Sequence, residues 1–169
     1  YTGKHAERVT AYGMELARAV GLSLEESPQI EFGFLLHDIG KVAVPDAILF
    51  KTSKLTDEEY ALIAQHPVVG VEILRDVDFL VVRHHHERWD GTGYPDGLAG
   101  EEIPLAARVF SVADTLDALT TDRPYRPASA WSEARVEIRR FSGSQFDPDV
   151  VEAFDKIPDE QFARLRGAL

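Results

Sequence analysis

The sequence predicts an all-α domain, and three observations carry that reading. Apolar residues recur at helical spacing through most of the chain. No run alternates apolar and polar residues as a half-buried strand would. Two Ser/Thr-x-x-Glu signatures mark helix starts. From about His5 to Val20, the residues Val9, Tyr12, Leu16 and Val20 fall on one helical face, and Gly21 supplies the stop. Ser23 with Glu26 forms a capping-box pattern, from which a helix is expected to about Ile39, ending at Gly40. Thr56 with Glu59 repeats the signature and opens a helix carrying Tyr60, Ile63, Val69 and Ile73. Pro67 should kink it, because proline lacks the amide donor and its ring clashes with the preceding turn.

A shorter apolar run, Val77 to Val82, leads into the stretch HHHERWDGTGYP at 84–95. Residues 87–103 then hold Gly91, Gly93, Gly97, Gly100 and Pro95, a loop long enough to suggest a functional role. Pro104 suits the first position of a helix running to about Thr121. Two further helices are expected near 130–141 and 148–157, which gives a compact bundle of about seven helices with one long loop.

At 169 residues the chain fits a single domain with a real core. It opens inside a predicted helix, so residues 1–169 read as one domain of a longer protein. With no cysteine there are neither disulfides nor thiolate metal sites, which suits a cytosolic setting. There is no apolar run of membrane-spanning length and no signal-peptide pattern, so no membrane contact is expected of this domain. A formal net charge of −11 argues against a nucleic-acid polymer as partner. A small anionic ligand remains compatible where cations are concentrated locally.

The six histidines are His5, His37, His66, His84, His85 and His86. A lone helical histidine is more often a packed residue than a ligand, but here the neighbours change that prior. His37-Asp38 ends an apolar helix, and adjacent helical residues point roughly 100° apart, so both serve one site only if it straddles two faces. Two metal ions sharing a bridging carboxylate provide such a site, with Asp38 as the bridge. Asp114 lies in FSVADTLDAL, where a buried carboxylate needs a strong partner. Imidazole and carboxylate without thiolate suit iron, manganese, cobalt, nickel or zinc. Two divalent ions would leave such a site net positive inside an acidic protein, drawing a phosphate to it.

HD at 37–38 followed by IGK resembles the HD phosphohydrolase superfamily. HHERWDGTGYP at 85–95 and ADTLDALTTDRPYR at 113–126 resemble its HD-GYP subfamily, over roughly residues 1–155. The resemblance implies a helical HD-domain bundle and hydrolysis of the bacterial second messenger cyclic di-GMP to pGpG or GMP. It implies metal ligands at His5, His37, Asp38, His66, His85, His86 and Asp114, with His84 flanking. Lys41 would lie at the scissile phosphate, and Asp38 and Lys41 carry the catalysis. Asp117, Arg123 and Arg126 would contact the nucleotide, and Gly93, Tyr94 and Pro95 would border its groove. The cofactor would be two divalent ions, iron or manganese first, with zinc, cobalt or nickel also compatible. Members with three metals carry a glutamate where this chain has Tyr1, which favours two.

The resemblance also implies a bacterial cytoplasmic setting, a receiver or sensor domain in the full-length chain, GGDEF-type partner domains and, as one assembly, a homodimer. Two rival functions keep their place. One is hydrolysis of a related dinucleotide such as cyclic GMP-AMP; the other is a silent cyclic-dinucleotide sensor, which usually lacks a metal ligand. Trp89 either stacks on a guanine or anchors the loop to the core.

Overall fold

The structure, a computed structural model, describes residues 2–25, 27–75, 79–123 and 126–169. Helix α1 (Thr2–Ala19) turns its Val9, Tyr12 and Leu16 face inward, and Gly21 follows with a positive φ of 80°, a backbone region glycine enters without steric cost. Its main partner is α7 (Leu105–Thr120), which contributes Val109, Phe110, Val112, Ala113 and Leu116 to the same core. Around this pair lie α2 (Gln29–Leu36), α8 (Trp131–Arg140), α9 (Pro148–Asp155) and α10 (Asp159–Gly167), which add Phe34, Ile138, Phe154 and Phe162. α10 has no counterpart in the sequence reading; its apolar content is low, and Phe162 is its one buried residue.

The second layer holds the shorter elements. A 3-10 turn (Ile39–Ala43) packs against α5 (His66–Ile73), and α5 packs against α6 (Leu80–His84). Gly40 permits the first contact: a Cβ there would lie 1.9 Å from the His66 carbonyl oxygen and 2.6 Å from the Gly70 nitrogen. Two short helices, α3 (Asp46–Leu49) and α4 (Asp57–Ile63), bridge the turn to α5.

All elements among the described residues are helices, turns and loops, as the periodicity predicts, with more pieces than the expected seven. Pro67 accounts for one of them. Instead of kinking a long helix it sits in the first turn of α5, leaving α4 separate, because a missing N–H is harmless where no intrahelical partner exists. The Thr56–Glu59 capping box forms as predicted, with Glu59 N donating to Thr56 Oγ1 at 3.3 Å and Thr56 N donating to Glu59 Oε2 at 2.8 Å. The start expected at Ser23 does not form. α2 begins six residues later at Gln29 after Pro28, and it ends at Leu36, so Gly40 lies in the 3-10 turn beyond it. Glu26 and Val77 lie outside the described residues.

Candidate metal centre and groove

Five elements converge on one point. α1 brings His5, the end of α2 and the turn beyond it bring His37 and Asp38, α5 brings His66, and α6 with the residues after it brings His85 and His86. α7 supplies Asp114. The ligating atoms form two triads: His66, His85 and His86 offer nitrogens all within 4.8 Å of one another, and so do the donor atoms of His5, His37 and Asp114. Asp38 stands between them. Its Oδ2 lies 3.3 Å from His37 Nε2 and its Oδ1 3.4 Å from His66 Nε2, so one carboxylate reaches both triads.

The hydrogen bonds behind the rings fix which nitrogen faces the site. Nδ1 of His37 donates to the Phe34 carbonyl at 2.8 Å, Nδ1 of His66 to Ile63 at 2.7 Å, and Nδ1 of His85 to Val82 at 2.9 Å. Nδ1 of His5 donates to Asp117 Oδ2 at 2.8 Å. Carbonyls and carboxylates only accept, so in the neutral ring the proton sits on Nδ1 and Nε2 is left with a lone pair. Yet His66 Nε2 is 3.1 Å from His85 Nε2, and His5 Nε2 is 3.3 Å from Asp114 Oδ1. Lone pairs converging on lone pairs repel unless a cation lies among them. The donor set therefore fits metal ions, with backbone groups and Asp117 orienting the ligands from behind.

The electrostatics agree for the triad of His66, His85 and His86. Burial, reinforced by the neighbouring rings, holds His85 well below the ordinary imidazole value and brings His86 down to about 3. Burial also lowers His66. All three stay neutral at physiological pH and can ligate without releasing a proton. Burial pulls on His37 in the same direction, but the hydrogen bond and charge of Asp38 more than offset it, and its pKa rises. Burial opposes ionisation of Asp38, yet His37 and Lys41 hold its carboxyl far below the usual range. Lys41 Nζ donates to Asp38 Oδ2 at 2.7 Å, the consequence of its position one turn further on. Burial raises Asp114, against the pull of His37 and His5.

The stretch that follows the histidines folds back over them. Buried Glu87 holds it, accepting from the backbone N–H of Asp96 at 2.7 Å and of Leu98 at 3.1 Å. Gly93 passes so close that a Cβ would lie 2.5 Å from the Arg88 nitrogen and 2.5 Å from the His86 carbonyl oxygen. The Tyr94 ring then stacks on His86, with centroids 4.8 Å apart and planes at 24°. Pro95 follows in the cis form. Trp89 lies outside this groove: Arg108 sits over its ring, and Trp89 N donates to the Gln145 carbonyl at 3.2 Å, which supports the anchoring role.

A cavity of about 230 Å³ opens beside the candidate ligands, lined by His85, His86 and Asp114 together with Gly93, Tyr94 and Arg88. Tyr60, Ser111 and Gln145 complete much of its wall. Arg88, Tyr60, Ser111 and Gln145 escaped the sequence reading. Ser111 and Arg88 had a signal, since Ser111 lies three residues before Asp114 on the same helical face and Arg88 lies within the HHERWDGTGYP stretch.

Three residues expected at the nucleotide do not line this cavity. Asp117 is buried beneath His5, where Arg8 donates to it through Nε at 2.5 Å and Nη2 at 3.0 Å. It orients the His5 ring and is 1% exposed. Arg123 and Arg126 exchange two backbone hydrogen bonds, the Arg126 guanidinium donates to the Ala118 carbonyl, and neither residue lines the cavity. Tyr1 lies outside the described residues.

Burial raises Asp117, but the His5 and Arg8 contacts override it and bring the carboxyl down to about 2, from an ordinary 3.8. A folded-state pKa below the unfolded one contributes stability above the unfolded pKa, and that stability is lost as pH falls through the folded value. Asp117→Asn should therefore cost about 2 kcal/mol at neutral pH. The gap to wild type should close as pH falls from about 5 to 2. Urea midpoints of both proteins across that range check this, and a constant gap contradicts it.

The profile of the HD domain family matches residues 1–150, and the chain belongs to that family. It is 48% identical over 164 residues to a cyclic di-GMP phosphodiesterase of Pseudomonas aeruginosa, covering 92% of this chain and 39% of that protein. It is 39% identical over 175 residues to the 3'3'-cGAMP-specific phosphodiesterase 2 of Vibrio cholerae, covering 99% of this chain and 33% of that protein. The chain thus spans under half the length of the curated relatives it matches. The solved structure of an HDG"Y"P protein of Bdellovibrio bacteriovorus shares the fold, with a TM-score of 0.71, 22% identity, and 92% of this chain and 51% of that one covered. Among the described residues no helix is long and apolar enough to cross a membrane.

Proposed function

We propose that this domain is a metal-dependent phosphodiesterase that hydrolyses cyclic di-GMP to pGpG or GMP. The observation that carries the reading is Asp38 between two ligand triads, with one oxygen towards each. A shared carboxylate is what a two-metal phosphoester centre needs, and the relatives named as phosphodiesterases supply the substrate class. Bound ions would supply Lewis acidity and lower the pKa of water near neutrality. His66, His85 and His86 would hold one ion, His5, His37 and Asp114 the other, and Asp38 both. Lys41 holds its ammonium beside Asp38, where it can stabilise charge developing on a phosphoryl oxygen. Gly93, Tyr94 and Pro95 keep the loop against His86 and shape the groove, and Arg88 supplies a cation beside it. Asp117 keeps the His5 proton on Nδ1. Arg123 and Arg126, on the segment after α7, serve a substrate only where it extends beyond the cavity.

The donor set accepts several divalent ions and the family resemblance puts iron or manganese first, and a cytoplasmic setting with a receiver or sensor partner belongs to the same reading. A second reading, preference for cyclic GMP-AMP, is favoured by the Vibrio cholerae relative. Both are tested by protein purified under reducing conditions, reconstituted with Mn²⁺ or Fe²⁺, its metals counted, then given each dinucleotide at equal concentration. Two ions per chain with pGpG or GMP appearing is the expected outcome. Metal-loaded protein that binds the dinucleotide and leaves it intact would make the domain a sensor instead.

A further inference from the structure

We infer that Tyr60 is the base-stacking residue of the groove, an inference that rests on the cyclic-dinucleotide reading above. Tyr60 belongs to no recognised motif, and its place in the periodic pattern suggests a core residue. The structure leaves it 53% exposed, on the wall of the cavity that also contains His85, His86 and Asp114.

α4 is an unusual carrier. None of its residues is buried, and Leu62 is exposed as well. An amphipathic helix normally gains its stability from a packed apolar face, but α4 is held mainly at its start. The Thr56–Glu59 box closes its first turn, and Lys51 Nζ donates to both Glu59 oxygens, at 2.8 Å and 2.6 Å. The helix therefore fixes Tyr60 beside the metal ligands without using the ring for packing.

Tyr94, the aromatic residue that the loop sequence advertises, has one ring face covered by His86. Tyr60 meets Tyr94 edge to face, centroids 6.2 Å apart at 81°, and Tyr94 is the sole ring partner recorded for it among the described residues. Tyr94 thus buttresses Tyr60 and orients it, and Tyr60 offers the accessible aromatic surface. The cavity, at about 230 Å³, is smaller than the ~300–1,000 Å³ typical of drug-sized ligands, so it takes part of a dinucleotide. A purine on Tyr60 would have Gln145 and Arg88 in the same wall, the Arg88 guanidinium being held by Asp90 at 3.1 Å and Thr92 at 3.0 Å.

The test is steady-state kinetics on two-metal wild-type, Tyr60→Ala and Tyr60→Phe proteins with cyclic di-GMP. Loss of one base-stacking contact should raise KM about 10- to 100-fold in Tyr60→Ala, with a much smaller change in kcat and an unchanged metal count. Tyr60→Phe should restore most of the affinity, because the π-face is kept. An unaltered KM in Tyr60→Ala, against an active wild type, overturns the stacking role and leaves the phosphodiesterase standing. Two-metal wild-type protein that neither binds nor cleaves a cyclic dinucleotide overturns the functional reading, and the stacking role with it.

Discussion

Asp38→Ala protein is expected to lose turnover by about 10³-fold or more and to bind fewer than two metals per chain. The estimate follows from charge stabilisation worth several kcal/mol at the reacting phosphoryl group, with about 1.4 kcal/mol per tenfold in rate. Asp38 is singular because it serves both triads, with contacts of 3.3 and 3.4 Å, and it also anchors Lys41 at 2.7 Å. Removing it releases a cation and leaves His37 and His66 without the carboxylate between them. Elemental analysis of the purified variant, alongside single-turnover assays, checks both halves. An Asp38→Ala protein that remains active and metal-replete would sink the shared-carboxylate centre.

The second large effect concerns stability. Gly40→Ala should destabilise the fold by about 3 kcal/mol, at the upper end of overpacking costs. For a chain of this size that lowers the melting temperature by roughly 6–12 °C. The new methyl would meet the His66 carbonyl at 1.9 Å and the Gly70 nitrogen at 2.6 Å, both backbone atoms that cannot rotate aside. The turn bearing Asp38 must then move away from α5, so metal content should fall along with stability. Gly167→Ala is the matched control, since nothing lies within 4 Å of its added Cβ, and its effect should stay within about 0.5 kcal/mol. Calorimetry on the two variants separates them. Equal melting temperatures would mean that the turn and α5 are not held as close as the structure has them.

Much of the site was legible in one dimension because metal ligation demands particular atoms. Imidazoles are few, six in this chain against 29 carboxylates, so the histidines and the motifs around them narrowed the candidate ligands before any geometry was known. The structure brings His5, His37, Asp38, His66, His85, His86 and Asp114 together. Gly93 was legible for a related reason, since a glycine within a polar motif signals a close backbone approach. Helix boundaries were less so. The Ser23 signature shows why: a capping pattern states that a cap is available, and whether it closes depends on contacts brought in from elsewhere in the chain. Thr56 with Glu59 had help from Lys51 and formed.

Alone, the sequence determined the all-α class, a chain long enough for one core, and the residue types available as ligands. Each follows from local periodicity, from length or from the atoms a residue type carries. Tertiary structure decided which face each side chain turned to the site. It buried Asp117 beneath His5, kept Arg123 and Arg126 off the cavity wall, and placed Arg88, Gln145 and Tyr60 on it. Those outcomes depend on where separate helices cross. An exposed tyrosine beside a metal site and a tyrosine in a core have the same local pattern, and only the neighbours brought in from distant segments tell them apart.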